Sequence, residues 1–402
     1  MKRMILACAI AAGWSWGLPG LSLAKDTLEL VETVPVETSL DDPSLRSAHD
    51  VWLEMIDGAE LSLDLAQFYV SPKEGGTGRL TVVLNAIRRA AARGVNVRLL
   101  VDAKFARRYP QALRELDAVN GVQVRKWDLN KLNGGVLHAK YFLVDRRSLY
   151  LGSQNFDWRA LEHIQELGVR VDSEALAADL SKVFEDDWRR ALGEQVSKSS
   201  VHKGRNIPLE FGKQTVYGQI VATPNTLLPS GIGSELDRMT QALRGAKTKI
   251  RLQLLSYAVK GYDGQAWSHM DQLLRDAAKR GVLVEIMLAD WSKKPPKVEA
   301  IQALAAVPNI SIKFITIPPW SGGHIPFARV VHAKYMTVDS HWSWIGSSNF
   351  SGDYFLNCRN VGLMVRGRGM VQELDRWFHR VWVSSYAELV DPDTTYTPPR
   401  VK

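Results

Sequence analysis

Cysteine is almost missing from this chain: two in 402 residues, Cys8 and Cys358. That excludes a small disulfide-stapled scaffold and a cysteine-rich zinc module, so stability has to come from packing. A Gly-rich phosphate loop ending in Lys-Ser or Lys-Thr is absent, as is a serine nucleophile elbow, which removes two common routes to hydrolysis. No amphipathic membrane anchor follows the first two dozen residues. What is present is ordinary in kind: 46% apolar and 23% charged residues, the composition of a globular protein long enough for two domains or one large one.

The N-terminus has its own grammar. Lys2 and Arg3 precede an apolar run from Met4 to Ala12; Gly17, Pro19 and Gly20 break it, and Ser22-Leu23-Ala24 supplies small residues for cleavage. Residues 1–24 therefore read as a secretory signal, and a secreted or periplasmic protein is expected. An uncleaved anchor is the alternative, disfavoured by the Pro-Gly break. Cleavage after Ala24 removes two bases and no acid, taking the net charge from +8 to +6, and leaves Cys358 alone. A moderately basic exported protein suits an anionic partner such as nucleic acid or phospholipid headgroups.

The remaining chain says the same thing twice. "HAKYFLVDRRSLYLGSQNF" (His138–Phe156) returns as "HAKYMTVDSHWSWIGSSNF" (His332–Phe350). Upstream, "ELSLDLAQFY" (Glu60–Tyr69) is echoed by "KIRLQLLSYA" (Lys249–Ala258), each alternating as a half-buried strand does. Each strand leads into a helical pattern ending in a basic residue and Gly, then an apolar strand, "VNVRLLVD" or "VLVEIMLAD". This order predicts an α/β fold: two similar βαβ-rich halves with largely parallel sheets, packed about a pseudo-twofold axis with the active site at the seam. The halves are expected at residues 25–200 and 207–390, joined by the polar stretch Ser197–Asn206. The tail "DPDTTYTPPRVK" lacks apolar periodicity and is expected to be loose.

Within each motif, His138 and Lys140 lie two apart on a strand and project together; His332 and Lys334 do the same. After Asp145 the chain turns, and Gly152, Ser153 and Asn155 are expected to come back beside the histidine. Gly346, Ser347 and Asn349 follow Asp339 in the same way. Six residue types fixed at these spacings arise by chance on the order of 10⁻⁸ per starting point, and here they occur twice. Repeats retained only for packing should keep apolar letters and lose polar ones; here "YFLV" became "YMTV" while every polar member survived. Two lysines beside two histidines repel a metal cation and favour an anion, clamped by Lys140, Lys334 and the donors of the GSxxN segments. A neutral histidine can then attack phosphorus while a protonated one gives its proton to the leaving oxygen. Water or another alcohol resolves the phosphohistidine, and this scheme calls for no cofactor.

The duplicated HxKx₄Dx₆GSxxN pattern resembles the signature of the phospholipase D superfamily, whose members use this covalent chemistry. "LVETVP", "GVLHAKYFLVD", "LYLGSQNFDWRAL", "IPFARVVHAKYM" and "IGSSNFSGDYF" are similar, in order, to the animal lysosomal phospholipase-D-like 5′-exonucleases. Those act on single-stranded DNA and RNA, and phosphatidyl transfer has also been assigned to them. The likeness spans nearly all of the mature chain. It departs at Asp339, where the animal proteins usually carry Glu, and in the single cysteine, since they are disulfide-bonded.

The resemblance implies that His138 is the nucleophile and His332 the acid. It also implies that Glu166, eleven residues after Asn155, orients an imidazole, often that of the opposite half; the matching residue after Asn349 is Asn360. Asp145 and Asp339 complete the catalytic motifs, more by bracing them than by touching substrate, and Ser153 and Ser347 are expected to bind it. His163, His324 and His341 read as structural or surface residues. Phe68, Tyr69, Trp158, Trp320, Trp342, Trp344 and Tyr354 lie near motif segments as stacking or packing groups, and Arg88, Arg89, Arg93, Arg107 and Arg108 form solvated helix faces or a nucleic-acid track. Three functions compete: a nuclease on single-stranded ends, a phospholipase D or phosphatidyltransferase, and an inactive binding protein. None requires an obligate protein partner, and the sequence sets no oligomeric state.

Overall fold

The computed structural model describes residues 25–196, 203–261 and 264–402. The expected signal at 1–24, and positions 197–202 of the expected connection, lie outside the described residues. The first half runs β1 (Thr27–Thr33), α1 (Ala48–Asp57), β2 (Ser62–Gln67), α2 (Arg79–Ala92), β3 (Asn96–Asp102) and β4 (Val122–Trp127), then β5 (Lys140–Val144), β6 (Ser148–Gly152), β7 (Ile164–Asp172) and α3 (Glu174–Arg190). The second half repeats the series as β8 (Gln214–Thr223), α4 (Glu235–Gly245), β9 (Lys249–Leu254), α5 (His269–Lys279), β10 (Leu283–Ala289) and β11 (Ile310–Ile315). It closes with β12 (Tyr335–Val338), β13 (Trp342–Gly346), β14 (Asn360–Arg366) and α6 (Arg368–Trp382).

These elements form where pattern and capping agree. In α2 the apolar Leu80, Val83, Leu84, Ile87, Ala90 and Ala91 recur at helical spacing and are all buried. Ser47 caps α1 by accepting from the Asp50 N–H, and Ser234 caps α4 by accepting from the Asp237 N–H. The βαβ part of each half gives the expected parallel strands, β2–β3–β4 and β9–β10–β11. The motif hairpin then adds antiparallel strands: β5 beside β2, β6 beside β5, β7 beside β6 and β1 at the far side. β12, β13, β14 and β8 repeat that arrangement. A hairpin with a turn of a few residues can only return antiparallel, so each sheet is parallel on one flank and antiparallel where the motif sits.

The repeat register differs from the sequence reading by two residues. The Asp145 N–H donates to the Ser62 carbonyl at 2.9 Å and the Asp339 N–H to the Lys249 carbonyl at 2.8 Å, so Ser62, not Glu60, is the counterpart of Lys249. A slip of two preserves inward and outward alternation, which is why the pattern did not reveal it. Three buried apolar clusters follow from the architecture. One surrounds Trp52 in the first half and one surrounds Trp344 in the second. The third spans both, uniting Leu137, Ala139 and Tyr141 with Val331, Ala333 and Tyr335. The seam is therefore core, not a surface contact.

The tail is not loose. Gln302 donates to the carbonyls of Asp391, Pro392 and Thr394, the Tyr396 ring packs edge-on to Phe314, and the Phe327 N–H reaches the Val401 carbonyl at 2.8 Å. Side-chain and backbone hydrogen bonds hold it without the periodicity that a sequence reading can detect.

Candidate active site

Each motif is stitched to the opposite half before its strand begins. The His138 N–H donates to the Arg359 carbonyl at 2.9 Å, and the Arg359 N–H to the Val136 carbonyl at 3.0 Å. In the mirrored place, the His332 N–H donates to the Gln165 carbonyl at 2.8 Å, next to the parallel pairing of Ile164–Gln165 with Val330–Val331. Arg359 is itself fixed: its buried guanidinium pairs with the buried Asp187 of α3 and donates to the carbonyls of Thr223 and Leu227. Each guanidinium nitrogen and each carboxylate oxygen of that cross-half pair has a partner, which burial requires.

The histidine partners are crossed as well. His332 Nδ1 lies 2.7 Å from Glu166 Oε2, and His138 Nδ1 lies 3.0 Å from Asn360 Oδ1. The Asn360 amide cannot be turned round, because its Nδ2 donates to Thr223 Oγ1 and to the Tyr354 carbonyl. Its oxygen must accept, so His138 carries its proton on Nδ1 and leaves Nε2 as the free lone pair. The equivalent acid after the first motif and amide after the second thus serve opposite rings.

Both imidazoles are buried, and their pKa values are pushed well below the usual range, first by burial and then by Lys140 and Lys334. His332 is further lowered by the nearness of His138. Burial drives Glu166 up to about 8 despite the two lysines; the Glu166–His332 pair holds its proton in common. Burial drives Lys334 down to about 7 and Lys140 well below its usual value, the second helped by repulsion from Lys334. Each ammonium donates to the carbonyl of its own histidine. Neither has a carboxylate within ion-pair distance among the described residues. Two buried amines lowered by burial, with Glu166 acting on both but outside ion-pair distance, are groups that an incoming anion would draw into the charged form.

The other predicted residues divide by position. Asn155 is buried and borders the same cleft as the two histidines; Asn349 is buried too, its oxygen accepts from the Leu255 and Ser256 N–H groups, and its Nδ2 has no partner among the described residues. Asp145 and Asp339 do not face substrate. Asp145 accepts from the N–H groups of Glu60, Leu61 and Ser62, and Asp339 from those of Lys247, Thr248 and Lys249.

Ser153 and Ser347 correct the expectation that their hydroxyls bind substrate. Ser153 Oγ donates to the Leu167 carbonyl and accepts from the Leu167 N–H, while Ser347 Oγ donates to Asn360 Oδ1 at 3.1 Å. Nor does each return beside its own histidine: the Ser347 backbone meets His138 and the Ser153 backbone meets His332. Gly152 is required by contact. A Cβ there would stand 2.6 Å from the Gly168 Cα across the β6–β7 pair. His163 is structural, sandwiched between Trp158 and Trp320 with its pKa lowered to about 4 by burial.

A cleft of about 740 Å³ opens over both histidines and Asn155. Its wall holds a series of rings: Phe68 is 4.9 Å from His138 and 4.0 Å from Phe105, and Tyr69 is 5.2 Å from Tyr109. Tyr354 covers the other side of His138 at 5.0 Å. Lys104 and Arg108 border this wall. Phe68, Tyr69 and Tyr354 were visible near the motifs; Phe105 lies in the short helix Ala103–Arg108 after β3 and Tyr109 at its end, and only the fold brings them in. Of the flagged arginines, Arg108 borders the cleft, whereas Arg89 and Arg93 are tied to the end of α1. Among the described residues no cluster of three or more His, Cys, Asp or Glu is arranged to hold a metal. Nor is any helix long and apolar enough to cross a membrane.

Two crossed imidazoles, two buried ammoniums and a duplicated fold define a phosphodiesterase-type centre built at a seam. A family model described as "Cardiolipin synthase, PLD-like domain" matches residues 52–188 and 239–382, and the chain belongs to this phospholipase-D-like family of phosphodiesterases. It is 32% identical over 401 residues to the 5′-3′ exonuclease PLD3 of Homo sapiens, covering 90% of this chain and 80% of that protein. It is 30% identical over 404 residues to phospholipase D Z of Dictyostelium discoideum, covering 94% of each. The fold is also that of the phosphatidylserine synthase of Haemophilus influenzae, with TM-score 0.61 at 13% identity and 85% of each chain covered.

Proposed function

We propose that this protein cleaves single-stranded nucleic acid from an end, through a covalent phosphohistidine. The observation that carries the reading is the pair of buried lysines, without an ion-pair partner among the described residues, beside crossed histidines. His138 Nε2 attacks phosphorus, forming the N–P bond as the bond to the leaving oxygen breaks. The proton shared by His332 and Glu166 passes to that oxygen, so the departing group leaves as an alcohol. Lys140 and Lys334 neutralise the charge gathering on the non-bridging oxygens. A water then attacks the phosphohistidine, giving its proton back to the His332–Glu166 pair, and the N–P bond breaks to restore neutral His138.

The amide at Asn360 and the carboxylate at Glu166 support this division. A carboxylate stabilises an imidazolium acid, whereas an amide holds a tautomer without adding charge. The ring-lined wall favours nucleic acid, since every base offers a π-face for stacking. Exonuclease relatives at about the same identity point the same way. A second reading, a phospholipase D or phosphatidyltransferase acting on phospholipid, is supported by the phospholipase D relative, covered to 94% on each side. Purified mature protein in chelator, offered a 5′-labelled oligonucleotide beside a fluorescent phospholipid, separates the two. Shortening of the oligonucleotide with intact lipid is the expected result; released or exchanged headgroup with intact oligonucleotide refutes the nuclease reading. Acid-quenched peptide mapping is expected to find phosphate on His138.

A further inference from the structure

A second groove, of about 780 Å³, lies in the first half beside the active-site cleft, and Arg108, Tyr109 and Arg159 border both spaces. Its floor and rim pair cations with partly exposed rings. The Lys73 ammonium sits 5.0 Å from the centre of the Trp158 ring, and the Arg108 guanidinium 5.7 Å from that of Tyr109. Neither cation has a carboxylate partner among the described residues. Two acids also border the groove, Glu74 and Glu115, the latter 3.4 Å from Arg88.

The corresponding groove of the second half is different. It measures about 560 Å³ between the loop after β9 and residues 296–300, and Ala258, Val259, Pro296 and Ala300 give it an apolar wall. Its Lys297 is driven toward the neutral form by burial. Lys260 also borders this second groove, but among the described residues no ring lies under it, so of the two exits from the seam the first-half groove is the one that sets cations over rings.

We infer that the first-half groove, bordered by Lys73, Trp158, Arg108 and Tyr109, binds the single strand flanking the scissile phosphate. The strand therefore leaves the seam on that side alone. This rests on the nuclease reading above and adds the place and direction of the strand. Phosphates meet Lys73 and Arg108, while bases stack on Trp158 and Tyr109, the combination that sequence-tolerant single-strand grooves use. The volume accommodates a base with its sugar and phosphate. A one-sided track also explains how a centre with near-twofold symmetry can act from one end of a strand.

The test compares kcat/KM for a strand of about ten nucleotides with that for a dinucleotide, in wild type, Lys73→Glu and Trp158→Leu, with Arg146→Glu as a remote surface control. In wild type the longer strand is expected to be preferred roughly five- to tenfold or more, the scale of one stacked base. Lys73→Glu and Trp158→Leu should flatten the preference by raising KM for the longer strand, and Arg146→Glu should keep it. A preference retained in both groove variants overturns the inference, as does a wild type that prefers neither length. Hydrolysis of bis(p-nitrophenyl) phosphate by a wild type that cuts neither oligonucleotide refutes the nuclease reading itself, and the groove assignment with it.

Discussion

Filling the site with an inert dianion should draw protons into the protein. In the free site burial holds Lys334 at about 7 and Lys140 well below its usual value, so at pH 8 roughly nine-tenths of Lys334 is neutral. A unit negative charge about 4 Å away, at an effective dielectric of about 20, contributes roughly 4 kcal/mol, or about three pKa units. Sulfate stays dianionic across the neutral range and is the cleaner probe. On binding, Lys334 should rise to about 10 and take up nearly one proton at pH 8, with Lys140 adding to it. Calorimetry in buffers of different ionisation enthalpy measures that uptake directly. The sign is fixed: above pH 7 the anion must bring a proton in, so Kd should rise as pH rises, by up to about tenfold per unit. The free protein carries the converse cost. Between the ordinary lysine value of 10.5 and about 7 the unfolded chain binds a proton that the folded one does not, so stability falls as pH drops through that window. A sulfate affinity that is flat from pH 6 to 9, with no buffer dependence of the binding heat, would refute the buried-lysine argument.

Glu166→Gln should lower kcat by about 10²–10⁴ on a dinucleotide, whose leaving alkoxide needs a proton, and much less on a p-nitrophenyl ester, whose leaving group does not; equal losses on both substrates would deny the acid role. Asn360→Asp should place a carboxylate under His138, favour its imidazolium and move the rising limb of the pH–kcat profile to higher pH; an unchanged profile would mean that the amide does not set the state of His138. Asp187→Ala should cost about 3–5 kcal/mol in urea unfolding by stranding the buried Arg359, while replacing both with apolar residues should cost far less. Asp145→Ala should cost about 2–3 kcal/mol from three lost charged hydrogen bonds, with kcat per folded molecule little changed; a kcat falling with stability intact would return Asp145 to the chemistry.

The sequence disclosed the repeat, the six motif letters and the meeting of two histidines, because these are set by spacing along single strands. Glu166 was legible too, as a polar residue standing where the other copy has Asn360. What escaped depends on packing between distant segments. The crossed placement of the Ser153 and Ser347 backbones follows from how β7 and β14 pass the seam, and no periodicity encodes it. The two-residue register shift was hidden because alternation is blind to even slips. Phe105 and Tyr109 sit in and at the end of the short helix Ala103–Arg108 after β3, whose direction the chain alone does not state. Arg359 and Asp187 lie 172 positions apart, and nothing short of the folded seam shows that each answers the other.

The crossing explains why the polar letters persisted through the repeat when the apolar ones drifted. If each half oriented its own histidine, one copy could decay while the other kept a working centre. Here His138 takes its tautomer from Asn360, and His332 its proton partner from Glu166, so each copy holds the group that makes the other's imidazole useful. Loss of either partner leaves the ring of the opposite copy without its support. The same exchange permits asymmetry: a single change between carboxylate and amide at matched positions gives one ring charge support and the other a fixed lone pair, without altering either motif. On the proposed mechanism an acid and a nucleophile arise from two copies of one motif, and the difference lies in residues eleven positions beyond it.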